Sequence, residues 1–146
     1  MHASKRDQRV LFEGVCASWV VHDVAAVKAC VHAEAVYKHY LPQGVWPIPG
    51  EVRGKPSIAR SLAHFLQEFH VCRYQPLRIG VGDRQGLLVS SIAFKYEHRA
   101  TGHSFDGTAR VKTQFDGDKI MSLEIFHDAP RVHAFLELVS CAGVEA

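Results

Sequence analysis

The apolar positions of this chain change period near residue 73. Before that point they recur at helical spacing. In residues 7 to 21, Leu11, Val15 and Trp19 fall at i, i+4 and i+8, with Phe12 and Cys16 beside them, which predicts an amphipathic helix. Asp23 is placed as an N-cap, because its short carboxylate can accept from the free N–H groups of the following turn. A second helix is expected over "VAAVKACVHAEA", burying Val24, Val27, Cys30 and Val31. A third follows "GKPS", with Ile58, Leu62, Phe65, Leu66 and Phe69 on one stripe and Pro56 in its first turn, where a missing N–H costs nothing. Between the second and third, "AEAVYKHYLP" passes from a helical to an extended pattern and sets Tyr37, His39 and Tyr40 within four positions.

Beyond residue 73 the period is two. "LLVSSIAFKYEH" puts Leu88, Ser90, Ile92, Phe94 and Tyr96 on one face, and "SFDGTARVKTQF" does the same with Phe105, Ala109, Val111, Thr113 and Phe115. The short glycine-bearing stretches "RATGH" and "DGDK" predict antiparallel hairpins. After "DGDK", Met121, Leu123, Ile125 and His127 are expected opposite Ile120, Glu124 and Phe126. A last amphipathic helix follows "DAP", with Val132, Phe135, Leu136 and Val139 inward and Asp128 as its cap.

The helices must bury their stripes and the long strands must bury one face, so the two layers cover each other. Strands of this length twist. The expectation is an α+β fold in which a cone-shaped, curved antiparallel sheet wraps around three N-terminal helices, with a short C-terminal helix. The irregular stretch is "LPQGVWPIPGEVRG", where Pro42, Pro47 and Pro49 exclude a regular central strand. Its Trp46 and Ile48 are large apolar side chains on a loop, suited to covering a cavity or an edge.

Composition narrows the function classes more than it selects one. The chain has 146 residues, 47% hydrophobic and 22% charged, which fits one globular domain spanning 1–146. A net charge of +2 with scattered basic residues gives a nucleic-acid partner no support. No apolar run approaches the roughly 20 residues that span a bilayer, and the charged stretch "MHASKRDQR", lacking an apolar core, argues against a secretory signal. Cys16, Cys30, Cys72 and Cys141 lie far apart without a C-x-x-C pair, and no His/Cys/Asp/Glu spacing builds a metal site. A cytoplasmic protein with reduced thiols and no cofactor is the expectation.

Three stretches carry a resemblance: "HDVAAVKACVHAEAVYKHY", "GEVRGKPSIARSLAHFLQEF" and "FDGDKIMSLEIFHD". Their succession, over about residues 8 to 140, resembles the nuclear-transport-factor-2-like superfamily, in its SnoaL-like and ketosteroid-isomerase-like branch. The resemblance implies a cystatin-like α+β barrel and commonly a homodimer through the outer sheet face, here Ser91, Ala93, Lys95, Thr108, Arg110, Lys112 and Phe126. Steroid-isomerase chemistry is not reproduced. His39 stands where that enzyme's base aspartate falls, Val111 near its oxyanion-hole acid, and residues 7 to 21 hold no tyrosine.

The candidate catalytic residues are therefore His39, His127 and Tyr37. An imidazole titrates near neutrality and can serve as a general base, and a buried phenol can donate to a developing oxyanion. Trp46, Ile92, Phe94, Tyr96 and Val111 are expected to contact a small apolar substrate, as are Thr113, Phe115, Leu123 and Ile125, with Tyr74 a weaker member. Two readings stay open. One is a cofactor-free enzyme of isomerase, cyclase or dehydratase type acting on a small hydrophobic carbonyl compound. The other is a non-catalytic ligand-binding or dimeric interaction module, with His39 facing solvent on an edge strand.

Overall fold

The computed structural model describes residues 4–41 and 46–144, with side chains as far as Ser140. Pro42 and the side chain of Cys141 lie outside the described residues.

Helix α1 (Lys5–Val20) begins two residues before the apolar periodicity suggests, because a capping box fixes its start. Ser4 Oγ accepts from the Asp7 N–H at 3.1 Å while the Asp7 carboxylate accepts from the Ser4 N–H. Gln8, buried, donates to the Gly117 carbonyl and so ties α1 to the far hairpin. Asp23 caps α2 (Val24–Ala29), its carboxylate accepting from the Ala26 N–H.

Helix two does not run to residue 35. It stops at Ala29, and strand β1 (Val31–His39) begins almost at once. The Cys30 carbonyl accepts from the Ile120 N–H, so pairing with another strand replaces the next helical hydrogen bond. Val31, Val36 and Tyr37 are β-branched or aromatic, and fit the pleated surface better than a helix. Val31 is buried as expected, but on the sheet.

After the proline-rich stretch comes β2 (Glu51–Arg53), a short strand antiparallel to β1, then α3 (Lys55–Glu68) with its proline in the first turn. Strands β3 (Phe69–Val81), β4 (Leu87–His98), β5 (Ser104–Asp116) and β6 (Lys119–Phe126) form the meander, and α4 (Ala129–Val144) closes the chain. The sheet order is β2-β1-β6-β5-β4-β3, with β1 parallel to β6 and every other pair antiparallel. The expected α+β fold, a curved sheet around N-terminal helices with a short C-terminal helix, is what forms, and it departs from a closed antiparallel barrel in two respects. β1 enters beside β6 in the parallel sense, and the six strands form a curved sheet whose edges β2 and β3 never meet.

Bulges supply part of the curvature. Register slips between Val71 and Arg73, between Pro76 and Arg78, and opposite Gln114/Phe115. Each slip changes parity. On β3 the inward set is Phe69 and Val71 before the first bulge, but Tyr74 opposite Phe94 after it. On β6 both Ile120 and Leu123 face inward, with Met121 taking up the extra residue, so Ile120 belongs to the core and not to the opposite face. The three N-terminal helices cover the concave side, α1 against β3 and α3 against β1. Val132, Phe135 and Val139 of α4 are buried, and Phe135 packs on Phe69 and Phe105.

Candidate functional site

Between the helices and the concave face lies a cavity of about 80 Å³. Its wall is mostly aromatic and aliphatic: Phe12 and Trp19 from α1, Ile58 and Phe65 from α3, and Val111, Leu123 and Ile125 from the sheet. The lining side chains that carry polar atoms include Cys16, Tyr37, Tyr74, Tyr96 and His127, together with the indoles of Trp19 and Trp46. Trp46 and Ile48 close one side, so the apolar residues of the irregular stretch do cover a hollow.

His39 is buried, 5% exposed, and faces inward beside Tyr37. β1 lies between β2 and β6, so His39 is not on an edge strand. Both ring nitrogens are engaged by the backbone. Nδ1 accepts from the Leu41 N–H at 3.2 Å, and Nε2 meets the Ile48 carbonyl at 2.6 Å. A carbonyl only accepts, so Nε2 carries the proton and the ring is the neutral tautomer that satisfies both ends of the covering segment. In this geometry His39 has no lone pair free for a substrate, and it does not line the cavity. Its neighbour Tyr40 points the other way. The Tyr40 ring is 57% exposed, stacks on Phe126 at 5.0 Å and donates to Glu124.

His127 follows the last residue of β6 and lines the cavity. Its ring lies against Trp46, with centroids 5.4 Å apart, and edge-on to Phe94 at 5.8 Å. Nδ1 is buried and has no hydrogen-bond partner among the described residues. Burial, and secondarily the nearness of His39, lowers its pKa from 6.5 to about 4, so the ring is neutral at physiological pH. Asp128 turns away from it, accepting from the Arg131 N–H at the start of α4 as the expected cap. A buried nitrogen without a partner is costly where only structure is at stake, and such groups call for a functional account.

The three phenols are held in their protonated form. Burial raises the pKa of Tyr37, Tyr74 and Tyr96, and for Tyr74 the neighbouring Tyr96, Cys16 and Tyr37 add to the effect. Such phenols are hydrogen-bond donors and not anions at neutral pH. Burial also pushes the Cys16 thiol up to about 12, which removes it as a nucleophile.

Of the expected substrate contacts, Trp46, Tyr96, Val111, Leu123 and Ile125 line the cavity. Ile92, Phe94, Thr113 and Phe115 face the same way but are packed within the core and do not line it. Strand parity fixes a face without fixing depth along the cone. Thr113 is fully buried and its hydroxyl has no partner among the described residues. Tyr74, the weaker candidate, also lines the cavity, and the helix residues Phe12, Cys16 and Trp19 are cavity residues that alternation on the strands could not supply. Their signal was the helical stripe itself. Among the described residues no group of three or more His, Cys, Asp or Glu could hold a metal ion, and no helix is long and apolar enough to cross a membrane.

The SnoaL-like domain matches residues 12–123 of this sequence. No functionally curated protein matches it. Among solved structures, the fold is similar to that of a candidate isomerase from Rhodopseudomonas palustris (TM-score 0.77, 12% identity, covering 93% of this chain and 98% of that one). TerC, co-crystallised with polyporic acid, superposes with a TM-score of 0.74 at 15% identity, over 90% of this chain and 98% of its own. A Catenulispora acidiphila protein with a ketosteroid-isomerase-like fold, solved in complex with trimethylamine, gives 0.71 at 13% identity over 85% and 89%. At these identities the likeness is one of fold.

Proposed function

The chain belongs to the SnoaL-like domain family, and from that premise we propose that its cavity is the site of cofactor-free proton transfer on a small hydrophobic carbonyl compound. The observation that carries this reading is the His127 ring on the wall of a cavity lined by three protonated phenols, its buried Nδ1 without a hydrogen-bond partner among the described residues. His127 takes a proton from the carbon next to the carbonyl. The electron pair moves onto oxygen, and Tyr37, Tyr74 or Tyr96 donates to the enolate oxygen so formed. Return of the proton to another carbon is isomerisation, loss of a β-hydroxyl is dehydration, and attack on a second carbonyl is cyclisation. A base of low pKa is adequate only if the enolate is well stabilised, which is what several neutral donors in a dry pocket supply. His39 orders the cover and Tyr37 stays in the donor set.

The test is exchange of the α-protons of butan-2-one in D2O, followed by NMR. We expect a protein-dependent acceleration that drops by roughly 100-fold or more in His127→Phe. Equal rates in variant and parent would remove His127 as the base. A second reading draws on the largely apolar wall and on the absence, among the described residues, of any carboxylate pairing with His127. It makes the protein a binder of the same class of molecule, and saturable binding without exchange would establish it. In either case the outer sheet face, where Arg110 and Lys112 are exposed beside Phe126, is proposed as the surface of a homodimer.

A further inference from the structure

Three phenols line the cavity, and what surrounds each ring sets them apart. Tyr96 shares two neighbours with His127. The Trp46 centroid lies 5.4 Å from that of His127 and 6.1 Å from that of Tyr96, and the Phe94 centroid lies 5.8 Å and 5.0 Å from the same two rings. The histidine and this phenol thus flank one pair of aromatic rings. Tyr37 is edge-on to His39 at 6.5 Å, and Tyr74 stands opposite Phe94 on β3. Among the described residues neither of those rings packs on Trp46.

The Tyr96 hydroxyl is also held. Its oxygen accepts from the indole N–H of Trp19, and both rings pack on Phe65, at 5.1 and 5.7 Å. No side chain donates to Tyr37 or Tyr74 among the described residues. An oxygen that accepts an N–H keeps its own hydrogen for another partner, and the bond it accepts strengthens the one it donates. Trp19 is fixed in turn by the way α1 ends. Its carbonyl accepts from the His22 N–H at 3.0 Å, and the Ser18 carbonyl accepts from the Asp23 N–H at 2.9 Å, the paired bonds of a Schellman closure. His22 takes the left-handed position of that closure, φ 63°, where glycine is the usual residue. Its side chain offsets the strain, since Nε2 accepts from the Val71 N–H at 3.1 Å and fastens the end of α1 to β3.

We infer that Tyr96 is the phenol that donates to the oxygen of the bound carbonyl compound, and that Trp19 is a positioning residue that aims its hydroxyl. The inference rests on the cavity being the site of proton transfer, and it assigns the roles within that site. When the α C–H bond breaks, the proton goes to His127 and the electron pair moves onto the carbonyl oxygen. That oxygen accepts the Tyr96 O–H as a hydrogen bond, and the phenol keeps its proton. The carbonyl of the substrate therefore points toward β4 and α1, and its α-carbon toward the end of β6.

The probe is butan-2-one carrying 13C at its carbonyl, read by infrared spectroscopy when bound and by α-proton exchange in D2O. In the parent chain the carbonyl stretch should fall below its value in hexane. In Tyr96→Phe it should return to that value, and exchange should slow by roughly 100-fold. Trp19→Phe keeps a ring and removes the N–H. It should lose part of the frequency shift and slow exchange by about fivefold at saturating ketone. A packing role would instead weaken binding and leave the frequency alone. Tyr37→Phe and Tyr74→Phe should keep most of the shift, which decides the donor even if Tyr96→Phe does not fold. Loss of the shift in either of those two, or its survival in Tyr96→Phe, overturns the assignment to Tyr96. The parent's frequency in Trp19→Phe removes Trp19. A Tyr96-dependent shift without any exchange ends the proton-transfer reading and leaves the hydrogen bond standing. A ketone that does not bind removes both.

Discussion

His127 is the residue at which stability and the proposed chemistry oppose each other. Its ring titrates near 6.5 in the unfolded chain and near 4 in the folded one. Between those values the unfolded state holds more protons, so stability falls as pH drops from about 6.5 to about 4 and is level on either side. The shift amounts to at most roughly 3 kcal/mol. Urea midpoints at pH 7 and pH 4.5 measure it. His22 is also shifted downward, by burial and by His70 beside it, and contributes a slope of the same sign. The comparison to make is therefore parent against His127→Phe, which should be the less pH-sensitive of the two. The same shift sets the acid limb of any His127-dependent exchange near pH 4 instead of 6.5. A limb near 6.5 would point to a different base.

Elements carry the next lesson, and His39 shows it best. It ends β1 and holds the segment that follows, through Leu41 on one ring nitrogen and Ile48 on the other. His39→Phe would keep the bulk and strand two buried backbone groups, at an expected cost of about 2–4 kcal/mol by chemical denaturation. Because its role is to order the cover, α-proton exchange should persist in that variant at saturating ketone. Loss of exchange with the fold intact would return the base to His39. Strand β4 and the start of β5 were legible residue by residue, since each alternates without interruption. α2 was not, because nothing local in "CVHAEA" outweighs helical spacing until β6 is present to accept β1.

At the scale of the whole molecule, the two faces of the sheet differ in character. The concave face holds the cavity, and the convex face carries Lys112 over the Phe126 ring at 5.9 Å with Tyr40 stacked against the same ring. A phenylalanine so placed, with exposed charges at Arg110 and Lys112, suits a moderately polar interface. Light scattering at micromolar concentration should give a dimer for the parent chain and a monomer for Phe126→Glu. A parent chain that is already monomeric would end the proposal.

Period, caps and turns were written into local spacing. They were enough for the order of most elements, for the faces of β4 and β5, for Asp23 and Asp128 as caps, and for a hollow covered by Trp46. These features depend on residues a few positions apart, so the sequence alone determined them. The parallel seating of β1 on β6, the unclosed sheet, the bulge that turns Tyr74 inward and the capture of both His39 nitrogens depend on groups far apart in the chain. Only the tertiary structure decided those, because a hydrogen bond to a distant carbonyl leaves no period in the sequence. That is also why His39, the first candidate base, and His127, the second, came to differ: one is satisfied by the backbone around it, and the other has a buried nitrogen with no partner among the described residues.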